Sequence, residues 1–202
     1  LAIIATSTVS RAVDVDDTRL LTNPAIGKKH IAFVYDRDLW IARTNGSAPR
    51  RLTTHPGTES NPVFLPDGKR LAFTAQYDGN TDVYVVPIAG GVPKRLTWHP
   101  GPDVVLGVTP GGDSVLFRSG RAVFTNRHTQ LFAAPLSGEF PVALKIPHAH
   151  KASYSPDGKR LAYTPLSERF QQWKNYRGGT VSRIWLYSFA NHSVEQVPQP
   201  AG

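Results

Sequence analysis

A chain of 202 residues with 40% apolar and 19% charged side chains can bury one good-sized core or two small ones, and is too apolar to be disordered. It has no cysteine, which excludes disulfides, thiolate nucleophiles and cysteine metal ligands. The net charge of +8 comes from Lys and Arg scattered through "GKK", "PRR", "GKR" and "PKR", turn flanks where solvated charge is the default, so nucleic acid is not an expected partner.

The chain opens on "LAIIATSTVSRA", an apolar stub followed by Ser10 and Ala12 at the small-residue positions that precede a signal-peptidase cut. Residues 1–18 are therefore read as a signal-peptide remnant or N-terminal extension. That implies a periplasmic or secreted protein, with the cytoplasm as the alternative. The absence of methionine, even at position 1, fits a processed or truncated product. No run approaches the ~20 apolar residues that span a bilayer.

From residue 19 the sequence repeats. Apolar triplets end at Phe33, Phe73, Phe117 and Tyr163, a spacing of 40 to 46 residues, which is the range of propeller blades and of some helical repeats. Inside each unit four short runs alternate with turn residues. The unit at 19–56 reads "RLLTNPAI", "HIAFVY", "DLWIAR", "PRRLTTH"; that at 57–100 reads "NPVFL", "RLAFTAQ", "DVYVVPI", "KRLTWH". The unit at 101–149 reads "VVLGVTP", "SVLFRSG", "QLFAAPL", "VALKIPH", and that at 150–200 reads "ASYSP", "RLAYTP", "RIWLYSF", "EQVPQP". The runs are rich in Val, Leu, Phe, Tyr and Thr, and Pro or Gly interrupts them too often for helices. Pro-Asp-Gly makes a turn for known reasons: Pro presets φ, Asp bonds nearby backbone, and Gly takes the positive φ. The expected fold is all-β: a β-propeller of four-stranded antiparallel blades, four of them present, as a fragment of a six-bladed ring. An aromatic recurs in the third strand, as Trp40, Tyr84, Phe132 and Trp185, and is assigned to packing between neighbouring blades.

"SPDGKRLAY", "LPDGKRLAF" and "RRLTTHPG" resemble the repeats of TolB-type and tricorn-type propellers. The stretch "SYSPDGKRLAYTPLSERFQQWKNYRGGTVSRIWLY", with its long insertion, resembles the N-terminal propeller of bacterial tricorn-like serine peptidases. That resemblance implies a large peptidase whose Ser/His-based catalytic domains lie elsewhere. No catalytic segment matches this chain, so it is expected to be inactive alone, with no catalytic residue and no cofactor. The unit at 101–149 departs from the pattern with "TPGGD" for Pro-Asp-Gly, and the first unit has only "AIGKK". Two other readings stay open: a stand-alone TolB-like periplasmic protein-binding propeller, and the propeller cap of a prolyl-oligopeptidase-like hydrolase.

Chain direction in a blade puts the fourth-to-first-strand loop and the second-to-third-strand loop on one face. That face gathers His55, His99, His148 and His150, together with Arg169, Phe170, Trp173, Lys174, Tyr176 and Arg177 of the 165–182 insertion. Mixed aromatic and basic loops on a rigid scaffold suit peptides, a neighbouring domain or another subunit, including a second copy of the chain. No metal is expected. One His per unit reads as a turn element, and "HAH" places two imidazoles on one face of a strand with no third ligand following. "DGNTD" has the first spacings of a calcium loop, but Val83 and Ala89 occupy the positions that need Gly and Glu, so it reads as a hairpin.

Overall fold

The computed structural model describes residues 20–124, 128–167, 181 and 183–198. The 1–18 extension, and insertion residues Arg169, Phe170, Trp173, Lys174, Tyr176 and Arg177, lie outside the described residues. Among the described residues sixteen strands form four antiparallel sheets, each of four strands consecutive in sequence. The first holds β1 (Leu21–Ile26), β2 (His30–Tyr35), β3 (Asp38–Arg43) and β4 (Arg50–Arg51); the second β5 (Glu59–Phe64), β6 (Arg70–Tyr77), β7 (Asn80–Pro87) and β8 (Lys94–Arg95). The third holds β9 (Asp103–Val108), β10 (Ser114–Ser119), β11 (Gln130–Pro135) and β12 (Val142–Ala143); the fourth β13 (Lys151–Tyr154), β14 (Arg160–Thr164), β15 (Trp185–Ser188) and β16 (Val194–Gln196). The fold is a β-propeller arc of four blades. Consecutive first strands pack together, β1 on β5, β5 on β9 and β9 on β13, whereas β1 and β13 do not pack in this way. Among the described residues no helix is long and apolar enough to cross a membrane.

Residues on alternate positions of each middle strand face opposite neighbours, as a pleated strand requires. Leu71, Phe73 and Ala75 of β6 join Ala32, Leu39 and Ile41 in the core between blades one and two. Ala72 of the same strand joins Val105, Val115 and Phe117 in the core between blades two and three. Leu116, Leu131, Leu161 and Tyr187 fill the third core. Phe73 and Phe117 are wholly buried, each worth about 2–3 kcal/mol, and stack on Tyr84 and Phe132 at 5.8 and 5.6 Å. The third-strand aromatics therefore pack between blades at Tyr84, Phe132 and Trp185. Trp40 differs. It stands on the outer side of blade one, half-buried against Tyr35, with no described blade beyond it.

The fourth strands are shorter than the sequence runs suggest, two residues in the first three blades. The reason is local in two of them. After Arg51 and Arg95 the chain dips inward at Leu52 and Leu96, and a threonine hydroxyl takes over the ladder bond: Leu39 N–H donates to Thr53 Oγ1 and Val83 N–H to Thr97 Oγ1, both at 3.0 Å.

The Pro-Asp-Gly turns behave as their chemistry dictates. Asp67 Oδ1 accepts from Lys69 N at 2.7 Å, and Gly68 has φ +63. "TPGGD" keeps the same turn by other means: Gly112 N donates to Thr109 O, and Thr109 Oγ1 bonds Asp113 Oδ1 at 2.7 Å. These turns also touch across blades. A Cβ on Gly112 would lie 2.9 Å from Pro66 Cγ, and one on Gly158 would lie 2.8 Å from Pro110. Gly68, at the same left-handed φ, has open space around it. Gly158→Ala is therefore expected to cost about 1–3 kcal/mol more than Gly68→Ala in urea unfolding, because only the former adds a clash to the backbone strain.

Candidate functional site

Each His-Pro-Gly is a side-chain-capped turn. His55 Nδ1 accepts from Gly57 N, and His99 Nδ1 from Gly101 N, both at 3.0 Å. The loops sit against the second-to-third-strand hairpins: the His55 ring lies tilted against Tyr77 at 3.8 Å, and Asn80 Nδ2 donates to the His99 carbonyl. Gly57 is pressed so closely on the Gln76 carbonyl that a side chain there would collide with it. His148 and His150 correct the reading of "HAH". Both precede β13 rather than lying on a strand, and their rings part, His148 lying tilted against His128 at 4.6 Å and His150 meeting Arg118. The four histidines are thus spread over three blade junctions rather than gathered at one point. Among the described residues no group of three His, Asp or Glu could hold a metal ion. The 78–82 segment is a two-residue hairpin turn followed by the start of β7, with Asp78 and Gly79 both at positive φ between paired Tyr77 and Asn80.

Beneath this face lies a polar network that the sequence reading did not single out. At the first junction Glu59, 1% exposed, accepts from Leu39 N at 2.7 Å, from the Thr53 hydroxyl and from the Tyr77 hydroxyl. Beside it, Arg51 pairs with Asp38 at 2.8 Å. The second junction uses the same positions with a different pairing. Buried Asp82 takes Arg95 at 2.5 Å and Thr97 at 3.1 Å, and buried Asp103 takes Arg121. Arg121 also lies over the Phe117 and Phe132 rings at 5.2 and 5.1 Å. Burial outweighs the donors and holds the Glu59 and Asp103 carboxyls above their ordinary values. Burial and the neighbouring Glu59 push the Tyr77 hydroxyl strongly upward. The visible signal was the echo of "RLT" at 51–53 and 95–97, each followed by an acid in "TES" or "PDV".

On the rim of the second junction, Trp98 and Phe140 are 65% and 92% exposed. With Leu96, Arg121 and Pro141 they line a cleft of about 340 Å³. The cation of Arg95 sits 5.7 Å from the Trp98 ring. The described part of the face therefore offers aromatic and cationic groups on a rigid, buried polar frame.

The family described as "Tricorn protease N-terminal beta propeller domain" matches residues 18–202. The chain belongs to this family. It is 31% identical over 157 residues to "Tricorn protease homolog 1" of Streptomyces coelicolor, covering 77% of this chain and 14% of that protein. It is 28% identical over 177 residues to "Tricorn protease" of Thermoplasma acidophilum, covering 83% of this chain and 16% of that protein. The crystal structure of the tricorn protease superposes with a TM-score of 0.75 at 25% identity, over 89% of this chain and 18% of that one. A "Tol-Pal system protein TolB" of Francisella tularensis is 30% identical over 153 residues, which is 73% of this chain and 32% of that protein. The putative TolB of Agrobacterium tumefaciens shares the fold, with a TM-score of 0.70 at 20% identity over 90% of this chain and 63% of that one. The chain thus spans about one seventh of the tricorn relatives it matches.

Two measurements test the buried network. Arg121→Leu strands the Asp103 carboxylate and is expected to cost about 3–5 kcal/mol in urea unfolding. Glu59 has a raised pKa, so its contribution to stability is fully present below the ordinary glutamate range and is lost as pH rises through the elevated folded value. Glutamine does not titrate. The stability of the wild type relative to Glu59→Gln should therefore fall as pH rises above the ordinary glutamate range, as read from unfolding midpoints.

Proposed function

We propose that this propeller segment is a non-catalytic part of a tricorn-like serine peptidase, and that it guides or filters peptides toward an active site elsewhere in the parent protein, or supports its assembly. The family match across 18–202 carries this reading. In support of it, the loop face combines His55, His99, His148 and His150 with exposed Trp98 on blades held rigid by buried charge. The blades are assigned to about 19–56, 57–100, 101–149 and 150–200 of a six-bladed ring, following an N-terminal extension or signal remnant at 1–18. The partners are peptides, or other domains or subunits of the parent, and the compartment is periplasmic or extracellular, with the cytoplasm as the alternative.

A second reading is favoured by the TolB relatives: a stand-alone propeller that binds proteins and belongs to no enzyme. The unrepeated insertion around Trp173 separates the two. Trp173→Ala with Arg177→Ala in the full-length protein is expected to slow peptide processing or weaken assembly several-fold, measured by peptide turnover and by sedimentation. Unchanged turnover and unchanged assembly would remove the first reading.

A further inference from the structure

The first two junctions each carry a rim cleft of about 340 Å³, at the small end of the roughly 300–1,000 Å³ range of ligand sites. The strand register aligns the two clefts position by position. Arg51 and Arg95 lie opposite Trp40 and Tyr84, which makes Leu52 and Leu96 equivalent. Lys94 and Val142 lie opposite Val85 and Ala133, which makes Pro93 and Pro141 equivalent. The frame is thus kept: a buried leucine, a proline, and a turn whose glycine, Gly90 or Gly138, has φ +102 and donates to Pro87 O or Pro135 O. Tyr77 and Arg121 stand at a third matching place, and each is committed to the buried acid beneath it, Glu59 or Asp103.

The lip of the cleft changes. Where the first has Thr54, Gly91 and Val92, the second has Trp98, Glu139 and Phe140. Both new rings are exposed, so they add little to the core and present apolar surface to water. The charges sort in the same direction. Arg95 is answered by Asp82 at 2.5 Å and Arg121 by Asp103. The exposed Glu139 side chain makes no hydrogen bond or ion pair with the described residues, which leaves one unanswered negative charge beside two open rings. An aromatic face attracts a cation, and a carboxylate in the same cleft adds the opposite charge. The chain already makes this pairing within itself: the Arg95 cation lies 5.7 Å from the Trp98 ring, and Arg121 lies over Phe117 and Phe132.

We propose that the second rim cleft binds the cationic side chain, lysine or arginine, of a peptide. The cation lies against Trp98 and Phe140 and pairs with Glu139, and its aliphatic stem runs along Leu96 and Pro141. The first cleft, with threonine, glycine and valine on its lip, does not hold this ligand. The proposal concerns binding at one cleft and stands apart from any role in peptide processing, so either can fail without the other.

Calorimetric titration of the full-length protein tests it with four tripeptides capped at both ends, glycine flanking a central arginine, lysine, leucine or glutamate. The arginine and lysine peptides should saturate and bind more weakly as salt is raised; the leucine and glutamate peptides should not saturate. Trp98→Thr with Phe140→Val copies two lip residues of the first cleft. It should weaken binding at least about tenfold and leave the unfolding temperature nearly unchanged, because both rings are exposed. Glu139→Gln removes a charge without altering shape, so it should weaken binding about threefold or more and flatten the salt dependence. The proposal is overturned if neither cationic peptide saturates, if the leucine or glutamate peptide binds as tightly, or if the Trp98 and Phe140 double variant binds as the wild type does.

Discussion

A blade whose outer strand is two residues long cannot hold its neighbour by strand pairing, so beside a few backbone bonds such as Glu59 N to Arg37 O the lock between blades comes from side chains. In the first two junctions that lock is a buried carboxylate. Glu59 and Asp103 each stand at the head of a blade's first strand; Glu59 draws donors from both blades, Leu39 N–H and Thr53 from blade one and Tyr77 from its own, whereas Asp103 takes Arg121 from its own blade. Taking such a group out of water costs several kcal/mol, and the surrounding donors offset that cost only when the blades sit in one relative position. Apolar cores supply most of the attraction between blades, but they tolerate sliding. The carboxylates do not.

The same constraint organises the loop face. The imidazole of His55 lies on Tyr77, whose hydroxyl is committed to Glu59, so the turn above and the network below share one ring. Asn80 likewise bonds both Asp82 and the carbonyl of His99. The loops that face solvent are therefore seated on the groups that join the blades, which gives them a fixed spacing without long strands to support them.

Much of this was legible in the sequence. The 40-to-46-residue period, the alternation and the Pro-Asp-Gly turns gave the sheets and their strand order, because each is a local property of a few adjacent residues. The shortness of the fourth strand was hidden: "RLTTH" reads as a strand until Thr53 is seen to take the backbone bond of Leu39. "HAH" has the period of a strand, yet Ala149 N bonds Thr129 O while His150 N turns to Thr164 O, so the alternation is not a pleat. The buried acids were harder to see, since Glu59 and Asp103 sit in polar loop phrases where a charge is normally solvated. Their partners lie 6 to 20 residues away, and only the register shows that they converge.

The turns on the opposite side of the blades carry a different consequence. Pro66 rests on the bare Gly112, and Pro110 rests on the bare Gly158, so each turn is shaped on one side to receive and on the other to be received. Removing a whole repeat from the middle would bring Pro66 to Gly158, a pairing of the same kind. Removing half a repeat would leave a proline facing a side chain. The molecule is thus built on a modular joint, in which units can be gained or lost by gene duplication and deletion as long as the cut respects the period, and the proline of one unit and the glycine of the next have to drift together.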